Sequence, residues 1–377
     1  MLVLGGGGAL GAFEGGLYEA LDEAGIEADW LAGSSIGALN AALIAGSRPG
    51  DRAGRLRAFW ERLSDGNDVS RSSSGETRRV LNLIAAAWSR ALGRPALFGL
   101  ALPRLFSGAH GWGLPSLYDY RPAFKTLEEF VDFDLLAAGT PRLTVNATDL
   151  VTGEAVRFDN RRERLTAAHL LASAALIPDF APFEIGGRMI CDGGFSENVP
   201  LHAVLGEPPE ADTLCIAVDL FSRAAEPVLS VDGMAERRGD LAFASQARWS
   251  LEALKASYGS STGLRPEGAS VALATLSYDS RHEGIAQKIF DYSRRSIEER
   301  WAAGRDQGRE LVARLRAMPE PDPGRLVHLD VPGRQAANVA GAEAAGSPPP
   351  MRNSQPRPAA SARGRGRLSR VGGSRRR

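Results

Sequence analysis

Four consecutive glycines stand between a short apolar run and a helix-like run in LGGGGALGAFEGG, Leu4–Gly16, and no other stretch of the chain narrows the choice of fold as far. Residues without a Cβ permit a tight turn close to another backbone. A turn that feeds a helix N-terminus points free N–H groups and the positive end of the helix dipole at an anion. The stretch contains Gly6-x-Gly8-x-x-Gly11, which suits a dinucleotide's pyrophosphate or any other negative group equally well. A second unit follows. Trp30–Ala32 reads as a short strand, Gly33-Ser34-Ser35-Ile36-Gly37 as a turn, and the small residues up to about Ala45 as a helix. Strand, glycine turn and helix, repeated, predict an α/β fold with a mainly parallel central sheet.

Further strands are expected at Leu2–Leu4, Leu214–Val218 and Val271–Leu276. A hairpin is expected from Arg142–Asp149 and Glu154–Phe158 around Thr152-Gly153, and another pair of strands from Phe183–Ile185 and Arg188–Cys191 about Gly186-Gly187. Helices are expected at Ala9–Ala24 (ended by Gly25), Asp51–Leu63 and Ala167–Ala175, then near Gly239–Ser257 and Glu283–Ala317. Residues 80–106 are apolar, poorly periodic and broken by Gly and Pro. They read either as core or as part of a cap inserted over residues 64–115. The expected organisation is a core over 1–220, a part over 221–335 that completes the core or serves partners, and a tail over 347–377.

The formal net charge of zero conceals an asymmetry. Met351 to Arg377 carries nine arginines and no acid, which leaves 36 basic against 45 acidic side chains before it. Such a Gly/Ser/Pro/Ala-rich tail cannot bury a core, so disorder is expected there. It reads as a solvated extension, with no specific nucleic-acid partner. Cys191 and Cys215 sit in apolar, strand-like settings and form neither a disulfide framework nor a metal spacing. The N-terminus lacks the basic and apolar regions of a secretory signal, and no uninterrupted apolar run reaches a bilayer's thickness. A cytoplasmic location, with peripheral membrane contact as an option, is the expectation.

Gly33-x-Ser35-x-Gly37 fits the nucleophile elbow, in which a serine is presented at a sharp strand-to-helix turn. Gly259-Ser260-Ser261-Thr262-Gly263 matches the same expression but lacks the strand before and the helix after it. Context therefore selects Ser35 over Ser261. A serine hydroxyl needs a neighbouring base. His110, His169, His202, His282 and His328 occupy loop, helix or strand-end settings that suit packed or surface histidines better than a catalytic one. Asp192-Gly193-Gly194 offers another base: the apolar strand ending Met189-Ile190-Cys191 delivers the carboxylate to the sheet edge. A dry cleft would raise its basicity, although a turn-capping role fits the same spacing. Acyl transfer produces an oxyanion, and backbone N–H groups of Gly6, Gly7 and Gly8 are placed to receive it. The dinucleotide alternative needs an acid at the end of the second strand. Asp29 precedes that strand and Ser35 stands at its end, so nucleotide binding takes second place.

Gly5-Gly6-Gly7-Gly8-Ala9-Leu10-Gly11, Gly33-Ser34-Ser35-Ile36-Gly37 and Asp192-Gly193-Gly194 resemble, in order and rough spacing, the three signature blocks of patatin-like phospholipases. Ala172-Ser173-Ala174-Ala175-Leu176-Ile177-Pro178 and Asn198-Val199-Pro200-Leu201 extend the similarity. Ser116-Leu117-Tyr118-Asp119 through Asp159 resembles a bacterial branch, so about residues 1–220 are covered. The resemblance implies a three-layer α/β/α fold and a Ser–Asp dyad with Ser35 as nucleophile and Asp192 as base. It implies Gly6, Gly7 and Gly8 as oxyanion loop, with Gly33, Gly37, Gly193 and Gly194 supporting the turns. The implied activity is hydrolysis of fatty-acyl lipid esters without metal or cofactor, the partner being a lipid or membrane-surface ester. Trp88, Leu97, Phe98, Leu102 and Phe106 would form an apolar mouth. The family usually carries an arginine where this chain has Leu10, which leaves neutral lipid esters and small acyl esters open beside phospholipids. A binding module that kept the fold without the activity is the alternative.

Overall fold

A computed structural model of the 377-residue chain describes residues 1–64, 76–101, 116–222, 231–259, 268–279, 288–318 and 324–331. Leu102, Phe106, His110, Ser261, His282 and the tail over 347–377 lie outside the described residues.

The centre of the molecule is a nine-stranded sheet. β1 (Leu2–Leu4) lies between β2 (Trp30–Ser34) and β9 (Thr213–Asp219), parallel to both. Beyond β2 comes β5 (Arg142–Asp149), and beyond β9 come β10 (Val271–Ser277) and β11 (Leu326–Val331), all parallel. One edge is antiparallel: β6 (Ala155–Asp159) and β8 (Arg188–Cys191) both pair with β5, and β7 (Phe183–Ile185) pairs with β8. A two-stranded ribbon, β3 (Gly99–Leu100) with β4 (Tyr118–Asp119), stands apart.

The strands of the parallel part are apolar at consecutive positions because both faces are covered. Successive side chains alternate between faces. Leu2, Leu4, Leu31, Ile216, Val218, Ala274 and Leu276 enter one core, while Val3, Ala32, Cys215, Ala217, Val271 and Leu273 enter a second. The first core is closed by α1 (Ala12–Glu23), α2 (Ile36–Ala45) and α3 (Arg52–Ser64), together with the C-terminal α11 (Arg294–Ala317). The second is closed by α9 (Leu201–Leu205) and the long α10 (Val231–Gly259). The fold is a three-layer α/β/α sandwich.

α1 and α11 pack backbone to backbone. A Cβ on Gly16 would overlap the Trp301 carbonyl oxygen, and one on Gly304 would overlap the carbonyl of Phe13. α11 thereby seats the helix that follows the glycine loop.

Several elements depart from the sequence expectation. The first helix is preceded by a 3₁₀ turn, Gly8–Gly11, because glycine-rich backbone forms a poor α-helix start. Residues expected as an apolar, irregular stretch include a regular helix, α4 (Glu76–Leu92). The amphipathic α5 (Arg121–Phe130) and the edge strand β11 were not expected at all. α11 starts at Arg294 rather than near residue 283, where Asp291 accepts from the Ser293 amide (3.1 Å) and the Ser296 hydroxyl (2.6 Å). Among the described residues no helix is long and apolar enough to cross a membrane.

Candidate active site

β1 and β2 end side by side, so the glycine loop and the turn after β2 emerge at the same sheet edge. Ser35 forms that second turn. It precedes α2 with φ 54° and ψ −125°, and among the described residues it alone has a positive φ without being glycine. Backbone strain of this kind costs roughly 1–3 kcal/mol and is kept where the surroundings enforce it. The enforcing contacts are visible. The Ser35 amide donates to Ser173 Oγ at 2.9 Å, and Ser173 Oγ donates to the Asn146 carbonyl at 2.5 Å. The preceding Ser34 Oγ donates to the Glu197 carbonyl at 2.6 Å. Gly33 and Gly37 meet across the turn, where a Cβ on Gly33 would overlap the Gly37 carbonyl.

Asp192 arrives from the antiparallel edge of the same sheet, at the end of β8. Its amide donates to the Ala175 carbonyl at 3.0 Å, and its carbonyl accepts from Thr148 Oγ1 at 2.7 Å. The two carboxylate oxygens have different partners. Oδ2 accepts from Ser35 Oγ at 2.7 Å, and Oδ1 accepts from the Gly194 amide at 2.7 Å. The residue is 4% exposed. Burial pushes its carboxyl up to about 6, against the opposing pull of the Ser35 and Gly194 hydrogen bonds. Gly193 is pressed onto Asn146, whose carbonyl a Cβ would overlap. Ser35 and Asp192, distant in the chain, thus form one hydrogen-bonded pair.

The three loop glycines divide. The Gly6 amide donates to the Asn198 carbonyl at 3.2 Å, and the Asn198 side-chain amide returns a bond to the Gly6 carbonyl at 3.3 Å. A Cβ on Gly6 would lie 2.6 Å from Asn198 Oδ1 and 3.0 Å from Ser35 Cβ, so only glycine lets the loop come this close. The amides of Gly7 and Gly8, next along and leading into α1, have no hydrogen-bond partner among the described residues. Leu10 is fully buried in the core rather than facing the site.

Above the pair lies a narrow cleft of about 80 Å³ with Gly6, Gly7, Gly8, Ser35, Asp192 and Asn198 at its base. Its walls are apolar and aromatic, among them Leu97, Phe98, Tyr120, Phe180, Phe290 and Tyr292 together with the stacked pair Phe221 and Phe243. Tyr120 stacks on Phe180 with centroids 3.9 Å apart and donates its hydroxyl to the Ala174 carbonyl. Leu97 and Phe98, expected at an apolar mouth, line this cleft and are almost fully buried, whereas Trp88 is half exposed on α4. The described histidines are engaged elsewhere: His169 with Thr166 at the start of a short helix, His202 with Glu197, and His328 with Thr275.

The profile of patatin-like phospholipases matches residues 2–205, more than half of the chain. The chain belongs to the patatin-like phospholipase family. Members of this family are generally lipid acyl hydrolases. An uncharacterised NTE family protein of Mycobacterium bovis is 30% identical over 226 residues, covering 60% of this chain and 50% of that protein. The human patatin-like phospholipase domain-containing protein 6 is 28% identical over 224 residues, covering 59% of this chain and 13% of that one. The chain therefore matches half or less of the length of these relatives. Among solved structures, VipD from Legionella pneumophila aligns at a TM-score of 0.40 and 17% identity, over 83% of this chain and 66% of that one.

Ser173, Asn146, Thr148 and Asn198, which hold the pair and the loop, were not singled out as site residues from the sequence. Ser173 and Asn198 do fall within the blocks that resemble the family. Nothing in local sequence marks the serine of Ala172-Ser173-Ala174 as the partner of the Ser35 amide.

Proposed function

We propose that this patatin-like chain is a serine acyl hydrolase that cleaves fatty-acyl esters of lipids through an acyl-Ser35 intermediate. The observation that carries the reading is the 2.7 Å hydrogen bond from Ser35 Oγ to Asp192 Oδ2 at the base of an apolar cleft. Ser35 Oγ attacks the acyl carbonyl carbon while Asp192 takes its proton. A carboxyl raised to about 6 is a stronger base than an exposed aspartate and is still ionised at neutral pH. The negative charge that develops on the carbonyl oxygen is received by the Gly7 and Gly8 amides, backed by the N-terminus of α1. The Gly6 amide, already given to Asn198, holds the loop against Ser35 instead. Collapse breaks the ester C–O bond, and the alcohol leaves with the proton held by Asp192. Water then attacks the acyl-serine, Asp192 accepts its proton, and the acid product departs as Ser35 regains its hydrogen.

The aromatic walls suit an acyl chain, because apolar area removed from water contributes about 25 cal/mol per Å². The lipid substrate is proposed to reach the cleft from a membrane surface. Ile84, Trp88 and Leu92, spaced four apart on one face of α4, are 38%, 51% and 64% exposed, and the chain runs from them directly into Leu97 and Phe98. The Aspergillus terreus relative named lysophospholipase nte1 shares 46% identity over 67 residues, which supports a lipid ester as substrate.

Labelling with a fluorophosphonate tests the nucleophile, since only an activated serine reacts quickly. Wild type and Ser261→Ala are expected to label, Asp192→Asn to label weakly, and Ser35→Ala not at all. Full labelling of Ser35→Ala would refute the assignment.

A further inference from the structure

One buried carboxyl next to the site takes no part in the chemistry above. Glu14 lies in the first turn of α1, directly after the glycine loop, and is 1% exposed. Asn40, on α2, is completely buried beside it. Asn40 Nδ2 donates to Glu14 Oε2 at 2.8 Å and to the Gly11 carbonyl at 3.0 Å, while Asn40 Oδ1 accepts from Trp60 Nε1 at 3.0 Å. The indole N–H only donates, which fixes the Asn40 amide with its NH₂ toward the loop. Every hydrogen-bonding direction of Asn40 toward α1 is therefore committed.

These bonds join the two halves of the site. Asn40 stands five residues after Ser35, about 7 Å along the same helix. Gly11 ends the 3₁₀ turn that begins at Gly8, whose amide is one of the two left free. One side chain thus ties the helix that presents the nucleophile to the loop that would receive the oxyanion. We infer that Asn40 and Glu14 form a brace that sets the distance between Ser35 and the Gly7–Gly8 amides, making both of them positioning residues for acyl transfer. The inference rests on the reading of Ser35 as nucleophile.

Burial favours the uncharged form of the Glu14 carboxyl in this brace. Burial drives Glu14 well above the ordinary carboxylate range, against weaker opposition from the Asn40 and Gly5 N–H groups. From α11 the buried Arg300 points its guanidinium at the carbonyls of Ala9, Lys288 and Asp291, and among the described residues Glu14 has no ion-pair partner. A negative charge in the first turn of α1 would also oppose the oxyanion that the same helix N-terminus is to stabilise. A neutral amide should therefore replace the acid.

The experiment is steady-state hydrolysis of a soluble p-nitrophenyl acyl ester by the full chain. Rates are expressed per Ser35 titrated with fluorophosphonate, so that only folded sites are counted. Asn40→Asp, nearly the same shape but without the donor, and Glu14→Ala are expected to lower kcat at least tenfold with KM within about twofold. Glu14→Gln is expected to restore kcat to within about threefold of wild type. Asn40→Asp and Glu14→Ala with kcat within twofold of wild type would overturn the brace, as would a Glu14→Gln variant as impaired as Glu14→Ala. Hydrolysis that persists in Ser35→Ala would instead defeat the assignment of the nucleophile, and the brace with it.

Discussion

Replacing Asp192 by asparagine is expected to make the protein more stable at pH 8 and no more stable at pH 4. The folded carboxyl is held at about 6, against about 3.9 in an unfolded chain. The folded state therefore binds the proton more tightly than the unfolded one. The stability this confers is fully present below pH 4 and is lost as the pH rises through 6. At 1.36 kcal/mol for each pH unit of difference, the ionised wild type carries a cost of about 3 kcal/mol at pH 8. Asparagine never ionises, but it cannot accept from both Ser35 Oγ and the Gly194 amide as the carboxylate does, which returns roughly 1 kcal/mol. The net gain is about 2 kcal/mol. With an unfolding entropy near 2.1 cal/mol/K per residue over roughly 300 folded residues, that raises Tm by about 3 °C. Calorimetry of wild type and variant at several values between pH 4 and 8 reads the difference directly. A Tm difference that does not change with pH would refute the claim that burial holds Asp192 in a costly charged state. It would also remove the reason to expect wild-type activity to rise through about pH 6.

Ser173→Ala removes the acceptor of the Ser35 amide and the donor to the Asn146 carbonyl. A loss of roughly 1–3 kcal/mol of stability is expected, with a fall in the rate of fluorophosphonate labelling that exceeds the loss of folded protein; an unchanged labelling rate would show that the elbow holds without it. Trp88→Asp combined with Leu92→Asp is expected to reduce co-sedimentation with phosphatidylcholine vesicles while leaving hydrolysis of a soluble ester within about twofold. Equal vesicle binding by variant and wild type would remove α4 from the proposed membrane contact.

The parallel sheet and the residues at its edge were legible because each rests on local patterns. Short apolar strands before glycine turns mark β1 and β2, and Gly33-x-Ser35-x-Gly37 needs only its own strand and helix to be read. Asp192 was visible for the same reason, at the end of Met189-Ile190-Cys191. Of the cleft walls only Leu97 and Phe98 were legible, as part of an apolar stretch. Phe180, Phe290 and Tyr292 stand far from them along the chain, and an aromatic in a core gives the same local signal as one in a cleft. The fate of the Gly6 amide depends on Asn198, 192 residues away, so no local pattern separates it from the amides of Gly7 and Gly8. α4 was missed because its residues were read together with the Gly93, Pro95 and Gly99 breaks that follow its end, and α5 because a proline stands near its start. Pro122 sits in the first turn of α5, where its missing N–H costs nothing.

The Ser35–Asp192 pair gathers two unfavourable features, a strained serine and a buried carboxyl, and the same few groups hold both in place. Ser173 is the point where they meet: its hydroxyl accepts from the Ser35 amide, and its carbonyl accepts from Gly193, next to Asp192, at 2.9 Å. Asn146 closes the circuit, with its carbonyl accepting from Ser173 and its side-chain amide donating to the Gly193 and Glu197 carbonyls. Each bond alone contributes about 1 kcal/mol, too little to hold a backbone at φ 54° against relaxation. Linked through buried groups that have no water to turn to, they act together, because releasing one leaves another unsatisfied. Relaxing Ser35 would thus also disturb the backbone that carries Asp192. The serine stays strained and the carboxylate stays dry for one reason: the lower-energy arrangement of either would break the support of the other.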